Sequence, residues 1–278
     1  MASKAAGLGL LLRLIYTFTE AASAAGASAM DLLSPVAWVI GIMAAITCRV
    51  GNFAAFRQDN IKRLLAYSSI AHAGYMMMAG AILMAAGDQG HRGIAALIFY
   101  VSVYLFMNLG AFGTAALVIW QTGSESLDAF NGLGRRATNL AVMMSVCLFS
   151  LIGLPPLAGF SAKWWLLWAL GEGAARQPWL WWLVIIAVIN TLISLWYYVR
   201  VMIRMFLTDD GQEAFSAPAA GQAIITVCGL AMLVGFVWMG PLRNRADALA
   251  SNLYRPRAGV AAVAAEATDP PARAAFVP

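Results

Sequence analysis

Gly153-Leu-Pro-Pro-Leu-Ala-Gly-Phe-Ser-Ala-Lys163-Trp-Trp165 places two prolines and a lysine inside a long apolar run. From about residue 140 to 170, Lys163 is the only charge. As one straight helix at about 1.5 Å per residue, that run would extend about 46 Å, well past a hydrocarbon core of about 30 Å. Pro155 and Pro156 each lack a backbone donor, and Leu154 before them is biased away from helix. The reading is of two half-helices that meet inside a membrane. Irregular backbone survives at that depth only when it is buried in protein or faces water, so a broken helix marks a transport path. Lys163 follows Pro156 by about two turns, which sets both on nearly one helix face. A charge there is expensive, which suits a group that takes up and releases a proton. The alternative is a lysine that snorkels to the interface beside Trp164 and Trp165.

Working outward, 278 residues that are 62% hydrophobic and 11% charged, with a mean hydropathy of +0.75, exclude a soluble domain of this size. The fold class is an all-α, multi-span membrane protein. A net charge of +5 would suggest nucleic acid in a soluble chain, but here the cations flank apolar spans, as the positive-inside effect requires. Cys48, Cys147 and Cys228 are far apart, and His72 and His91 are the only histidines. Haem, iron-sulfur and zinc sites therefore lack a plausible ligand set.

The first 29 residues have some signal-peptide character, but Arg13 interrupts the apolar region and Tyr16 to Glu20 makes a poor approach to a cleavage site. A short helix over about 4–18 is preferred. Further spans read as about 35–56, 62–86, 93–121, the broken 138–171, 179–206 and 219–240, seven in all. Residues 1–240 thus form a membrane domain. Residues 241–278 form a polar tail without an apolar span, expected to be disordered from about 256. Arg57, Lys62, Arg63, Arg135, Arg136, Arg200 and Arg204 fall beside connections on one side, against Arg92 and Arg176 on the other. The first side is expected to be cytoplasmic, which puts the tail outside despite its arginines.

All thirteen carboxylates lie in connections or tails, whereas Lys4, Arg13, Arg49 and Lys163 fall within apolar spans. Buried cations are normally paired or face water, so another polypeptide, or an absent N-terminal half, is expected to supply at least one membrane carboxylate. Uncharged polar groups line up at helical spacing: Ser68 with His72; Tyr100, Tyr104 and Asn108; Asn190, Ser194 and Tyr198. His72 stands about 15 Å along the axis from Lys62. Such rows either carry a water wire or simply hydrogen-bond between helices, as packed bundles commonly do.

Three stretches resemble one family: Gly51-Asn-Phe-Ala-Ala-Phe-Arg-Gln-Asp-Asn-Ile-Lys-Arg-Leu-Leu-Ala-Tyr-Ser-Ser-Ile-Ala-His72-Ala-Gly-Tyr75, then Gly153 to Lys163, then Asn190-Thr-Leu-Ile-Ser-Leu-Trp-Tyr-Tyr-Val-Arg200. The family is subunit N of the proton-pumping NADH-quinone oxidoreductase, respiratory complex I. The resemblance extends to about residue 240 and implies an antiporter-like subunit of inverted helical repeats, each with a broken helix. It places Lys163 at the proton-exchange lysine beyond the second break, and Lys4 at the lysine that links two half-channels. His72 matches the relay position after Ala66-Tyr-Ser-Ser, with Ser68, Tyr100, Tyr104 and Asn108 as supporting polar groups and Pro155 and Pro156 as the helix break. The stretches correspond to the family's second half, with the first repeat and its lysine and glutamate unmatched.

The resemblance implies a proton-translocating membrane subunit, counted as part of a translocase although no redox chemistry occurs in this chain. No cofactor is expected here: NADH, flavin, iron-sulfur clusters and quinone would belong to partner subunits. The implied partners are the other membrane-arm subunits, the lipid bilayer and, where the first repeat is separately encoded, the chain that carries it, with no nucleic acid. The implied location is the inner (cytoplasmic) membrane. Two rivals share these features: a secondary cation/proton antiporter, and a non-pumping, truncated scaffold paralogue.

Overall fold

A computed structural model describes residues 2–24, 29–85, 90–208 and 213–253. Its helices are α1 (Ala2–Ala24), α2 (Ala29–Phe56), α3 (Ile61–Ala85), α4 (Gly90–Thr122), the single turn α5 (Leu133–Arg136), α6 (Thr138–Ile152), α7 (Ala158–Ala174), α8 (Leu180–Leu207), α9 (Ala219–Val237) and α10 (Met239–Leu253). Among the described residues, α2, α3, α4, α8 and α9 are long and apolar enough to cross a membrane. The short apolar stretch Ala6–Phe18 of α1 and the pair α6 and α7 complete the seven expected spans.

The broken span divides where the prolines demand it. α6 stops at Ile152 on a left-handed Gly153 (φ 87°), a conformation that glycine adopts without a Cβ penalty. Leu154, Pro155 and Pro156 form an exposed link, and the Pro155–Pro156 bond is cis. Because α7 starts only at Ala158, Pro156 is not on its helix. The expected sharing of a helix face by Pro156 and Lys163 therefore fails, and Lys163 lies little more than one turn into α7.

The centre of the bundle is α3, buried along most of its length between α2, α4, α7 and α8. Small residues allow its closest approach. A Cβ on Gly51 would stand 2.4 Å from the Ala71 backbone nitrogen, and one on Gly74 would stand 2.5 Å from that of Cys48. Two spans can pack backbone to backbone in this way. The outward faces of α2, α8 and α9 expose Ile46, Val50, Phe53, Leu192, Val227 and Val234, as a lipid-facing surface requires.

At one end of the bundle the connections are laced together. Ile61 N–H donates to Glu125 O at 2.9 Å, Leu127 N–H donates to Asp59 O at 2.8 Å, and Lys62 pairs with Glu125 at 2.6 Å. The Lys62 ammonium and the Asn60 amide, both bonded to its carboxylate, hold Glu125 below the usual carboxylate range. Arg200 reaches Gln58 O and Asp59, and Arg204 pairs with Asp128. The polar tail begins as a helix. α10 turns its alanines inward, with Ala246 and Ala250 buried and α4 its main neighbour, and keeps Arg243 and Asp247 outside. Residues 254–278 lie outside the described residues.

Candidate functional site at the helix break

In a continuous helix, the carbonyls of Leu151 and Ile152 would accept from the N–H groups four residues on. Those residues are Pro155 and Pro156, which have no N–H. The two orphaned carbonyls accept instead from Lys163 Nζ, at 3.0 and 2.8 Å. The Gly153 and Leu154 N–H groups both go to Phe149 O, at 3.0 and 3.1 Å. The ammonium thus sits at the partly negative C-terminal end of α6. It is also 4.9 Å from the centroid of the Tyr75 ring, a cation–π distance. Lys163 is 6% exposed, which rules out snorkelling.

Two glycines hold this geometry. Ser150 Oγ accepts from Gly159 N–H at 3.0 Å, and a Cβ on Gly159 would lie 1.9 Å from Ser150 O, so only glycine lets the half-helices cross here. A Cβ on Gly153 would stand 2.8 Å from Lys163 Cδ.

From Ile61, α3 rises past Ser68, His72 and Tyr75 at about 10, 16 and 21 Å along its axis. Each meets a polar group on a neighbour. Ser68 Oγ bonds to Tyr198 OH of α8. His72 Nδ1 is 2.9 Å from Tyr100 OH of α4, and its ring centroid is 5.1 Å from that of Tyr104. Tyr75 OH donates to Ala187 O and lies 3.0 Å from Thr191 Oγ1. Ser69 Oγ reaches Asn108 Oδ1 at 3.5 Å. A single strip therefore runs from the laced end of the bundle to the Tyr75 ring beneath the Lys163 ammonium. Hydroxyls and imidazole both donate and accept, so the strip has the chemistry to relay a proton where water bridges its gaps.

Sequence reasoning brought together Lys163, His72, Ser68, Tyr100, Tyr104 and Asn108, and the structure gathers them. The side chain of Lys4, a residue of α1, lies outside the described residues. Asn52 and Tyr197 were missed: Asn52 Nδ2 donates to Asn190 Oδ1 at 3.0 Å, and Tyr197 OH donates to Asn52 Oδ1 at 2.9 Å. Of the row Asn190, Ser194 and Tyr198, only Asn190 and Tyr198 reach across to other helices here, while Ser194 Oγ donates to Thr191 O on its own helix. Leu151 and Ile152 were also missed, although counting four residues back from each proline finds both. Arg13 and Arg49 stand on exposed helix faces. Among the described residues, no group of three or more His, Cys, Asp or Glu could hold a metal ion.

A bundle of membrane-spanning helices with a lysine buried at the break of one of them defines an antiporter-like membrane protein. The family model described as NADH:quinone oxidoreductase/Mrp antiporter, transmembrane, matches residues 3–194, and the chain belongs to that family. NADH-quinone oxidoreductase subunit N of Anaeromyxobacter sp. (strain Fw109-5) is 41% identical over 251 residues, covering 86% of this chain and 46% of the relative. The chain thus spans less than half the length of that curated relative. A chain of respiratory complex I from Thermus thermophilus with bound aureothin is 31% identical with a TM-score of 0.59, over 74% of this chain and 44% of that one. A chain of an archaeal membrane-bound sulfane sulfur reductase shares the fold, with a TM-score of 0.72 at 22% identity, over 82% of this chain and 44% of that one.

Proposed function

We propose that this chain serves as part of a proton-translocating membrane subunit of an NADH-quinone oxidoreductase, and so of a translocase. Residues 1–240 would act as its membrane domain and 241–278 as an appended tail. Lys163 exchanges a proton with the outer aqueous side, Lys4 relays from the central polar axis, and His72 and its neighbouring hydroxyls bridge between them. The redox cofactors belong to partner subunits, and electron transfer there drives the exchange by shifting the proton affinities of these groups. Other membrane-arm subunits complete the path in the inner membrane of a bacterium, with the tail outside. The observation that carries this reading is the buried Lys163 amine, held by two carbonyls that the prolines leave unbonded.

The test is proton uptake in sealed vesicles driven by NADH oxidation. Lys163→Ala lowers the proton-to-electron ratio while the assembly remains intact on a native gel. An unchanged ratio overturns the assigned role. The Mrp antiporters in the family description keep cation/proton antiport as the second reading. Loss of Na⁺ or K⁺ tolerance on deletion, with NADH oxidation intact, would favour it.

A further inference from the structure

At the end of the bundle opposite the laced connections, a cleft of about 480 Å³ opens between the start of α4, the end of α7 and α10. That volume falls within the range that holds small ligands. Its lining carries two cations, Arg92 and Arg243, and two carboxylates, Glu172 and Asp247, beside Trp165 and Trp168. Arg92 pairs with Glu172, and Arg243 with Asp247 at 3.8 Å. The Arg243 guanidinium lies 5.1 Å from the Trp165 ring centroid.

The cleft stands at a membrane–water boundary. Trp168, Trp181, Trp182 and Trp238, all more than half exposed, cluster at this end as an aromatic belt does. α10 continues from the end of α9 as an amphipathic helix with Leu249 exposed and charges on its flank. Every charge in the cleft is shared with an opposite one, so its net charge is zero. A net-negative headgroup would therefore meet as much repulsion as attraction. A zwitterion matches the lining sign for sign.

We propose that this cleft is a headgroup site for an aminophospholipid of the phosphatidylethanolamine type, with its phosphate at Arg92 and Arg243 and its primary ammonium at Glu172 and Asp247. Carboxylate oxygens accept hydrogen bonds, which a primary ammonium donates and a quaternary choline cannot. The acyl chains leave past the exposed face of Trp168.

Native mass spectrometry of the gently solubilised native assembly tests this. The assembly is stripped of lipid and then titrated with phosphatidylethanolamine, phosphatidylcholine or phosphatidylglycerol of identical acyl chains. The expected result is about fivefold greater retention of phosphatidylethanolamine than of either other lipid, the factor that one charge–headgroup contact of about 1 kcal/mol gives. The double variant Glu172→Gln/Asp247→Asn gains phosphatidylglycerol binding, a readout that simple destabilisation does not produce. Equal retention of the three lipids, or a preference unmoved by the double variant, overturns the proposal. So does a photoreactive probe attached at Ala248→Cys that cross-links to a neighbouring polypeptide instead of lipid, which would make the cleft a protein interface.

Discussion

Lys163 and Arg136 are both buried cations held by backbone carbonyls and an aromatic ring. Lys163 takes Leu151 O and Ile152 O and lies over Tyr75. Arg136 donates to Ala129 O, Asn131 O and Glu213 O at 3.1, 3.3 and 3.3 Å, with its guanidinium 5.4 Å from the Phe215 ring. Their acceptors differ in origin. Those of Arg136 come from two separate connections, 129–131 and 213–215, so it works as a staple at the edge of the bundle. Those of Lys163 come from one helix end, at a discontinuity inside a span. A guanidinium keeps its proton under all ordinary conditions and spreads its donors in a rigid fork, whereas an amine is a point charge that can release its proton. The same kind of cradle thus suits a structural cation in one place and, in the function proposed above, a proton-exchanging one in the other.

Exchanging the two cation types is the sharpest way to break that comparison. Lys163→Arg keeps the charge but removes the exchangeable proton, so the proton-to-electron ratio in sealed vesicles falls as far as in Lys163→Ala while NADH oxidation and assembly persist. Arg136→Lys keeps pumping per assembled complex but lowers thermal stability by about 1–3 kcal/mol, because one ammonium cannot serve carbonyls on two connections. If the two variants give the same phenotype, the distinction is wrong.

A smaller effect is expected from restoring the missing donors. The double change Pro155→Ala/Pro156→Ala returns N–H groups to Leu151 O and Ile152 O, which then compete with Lys163 for bonds worth about 1.5–3 kcal/mol each. Pumping drops while helix content and assembly hold, measured by circular dichroism and native gel. Undiminished pumping would show that the carbonyls do not position the amine.

The smallest effect concerns the laced end. Because Glu125 has a lowered proton affinity when folded, its contribution is complete above the ordinary carboxylate range. It is lost only as the pH falls through Glu125's own lowered value. Lys62→Gln moves that acid midpoint upward and slightly lowers the melting temperature at neutral pH, with no difference below the lowered value, read from melting temperature against pH. A midpoint that stays in place would mean that Lys62 does not hold the carboxylate.

Much of this was legible in the residues. Apolar length set the spans, and Pro155 and Pro156 set the break, because a missing donor is a local property of sequence. Helical spacing was enough to gather Ser68 and His72, since i and i+4 share a face. Partners across helices were harder. Asn52 sits in an apolar span with no polar row of its own, and only the packing of α2 on α8 shows that it meets Asn190 and Tyr197. α10 was hidden because its two inward residues are alanines, which carry almost no hydrophobic signal until α4 is seen to cover them. The carbonyls of Leu151 and Ile152 that accept from Lys163 were hidden for the same reason: carbonyls have no letter in the sequence.

That neutral cradle has a consequence for signalling within a larger assembly. A lysine paired with a carboxylate alternates between no net charge and minus one as its proton comes and goes. Among the described residues Lys163 is held by dipoles, so with the exchange proposed above that cradle alternates between plus one and zero. An electrostatic field of a full elementary charge is thereby switched on and off at one point in a weakly screening medium, where it reaches much farther than in water. In the assembly proposed above, a neighbouring subunit could then sense whether this site is loaded without touching it.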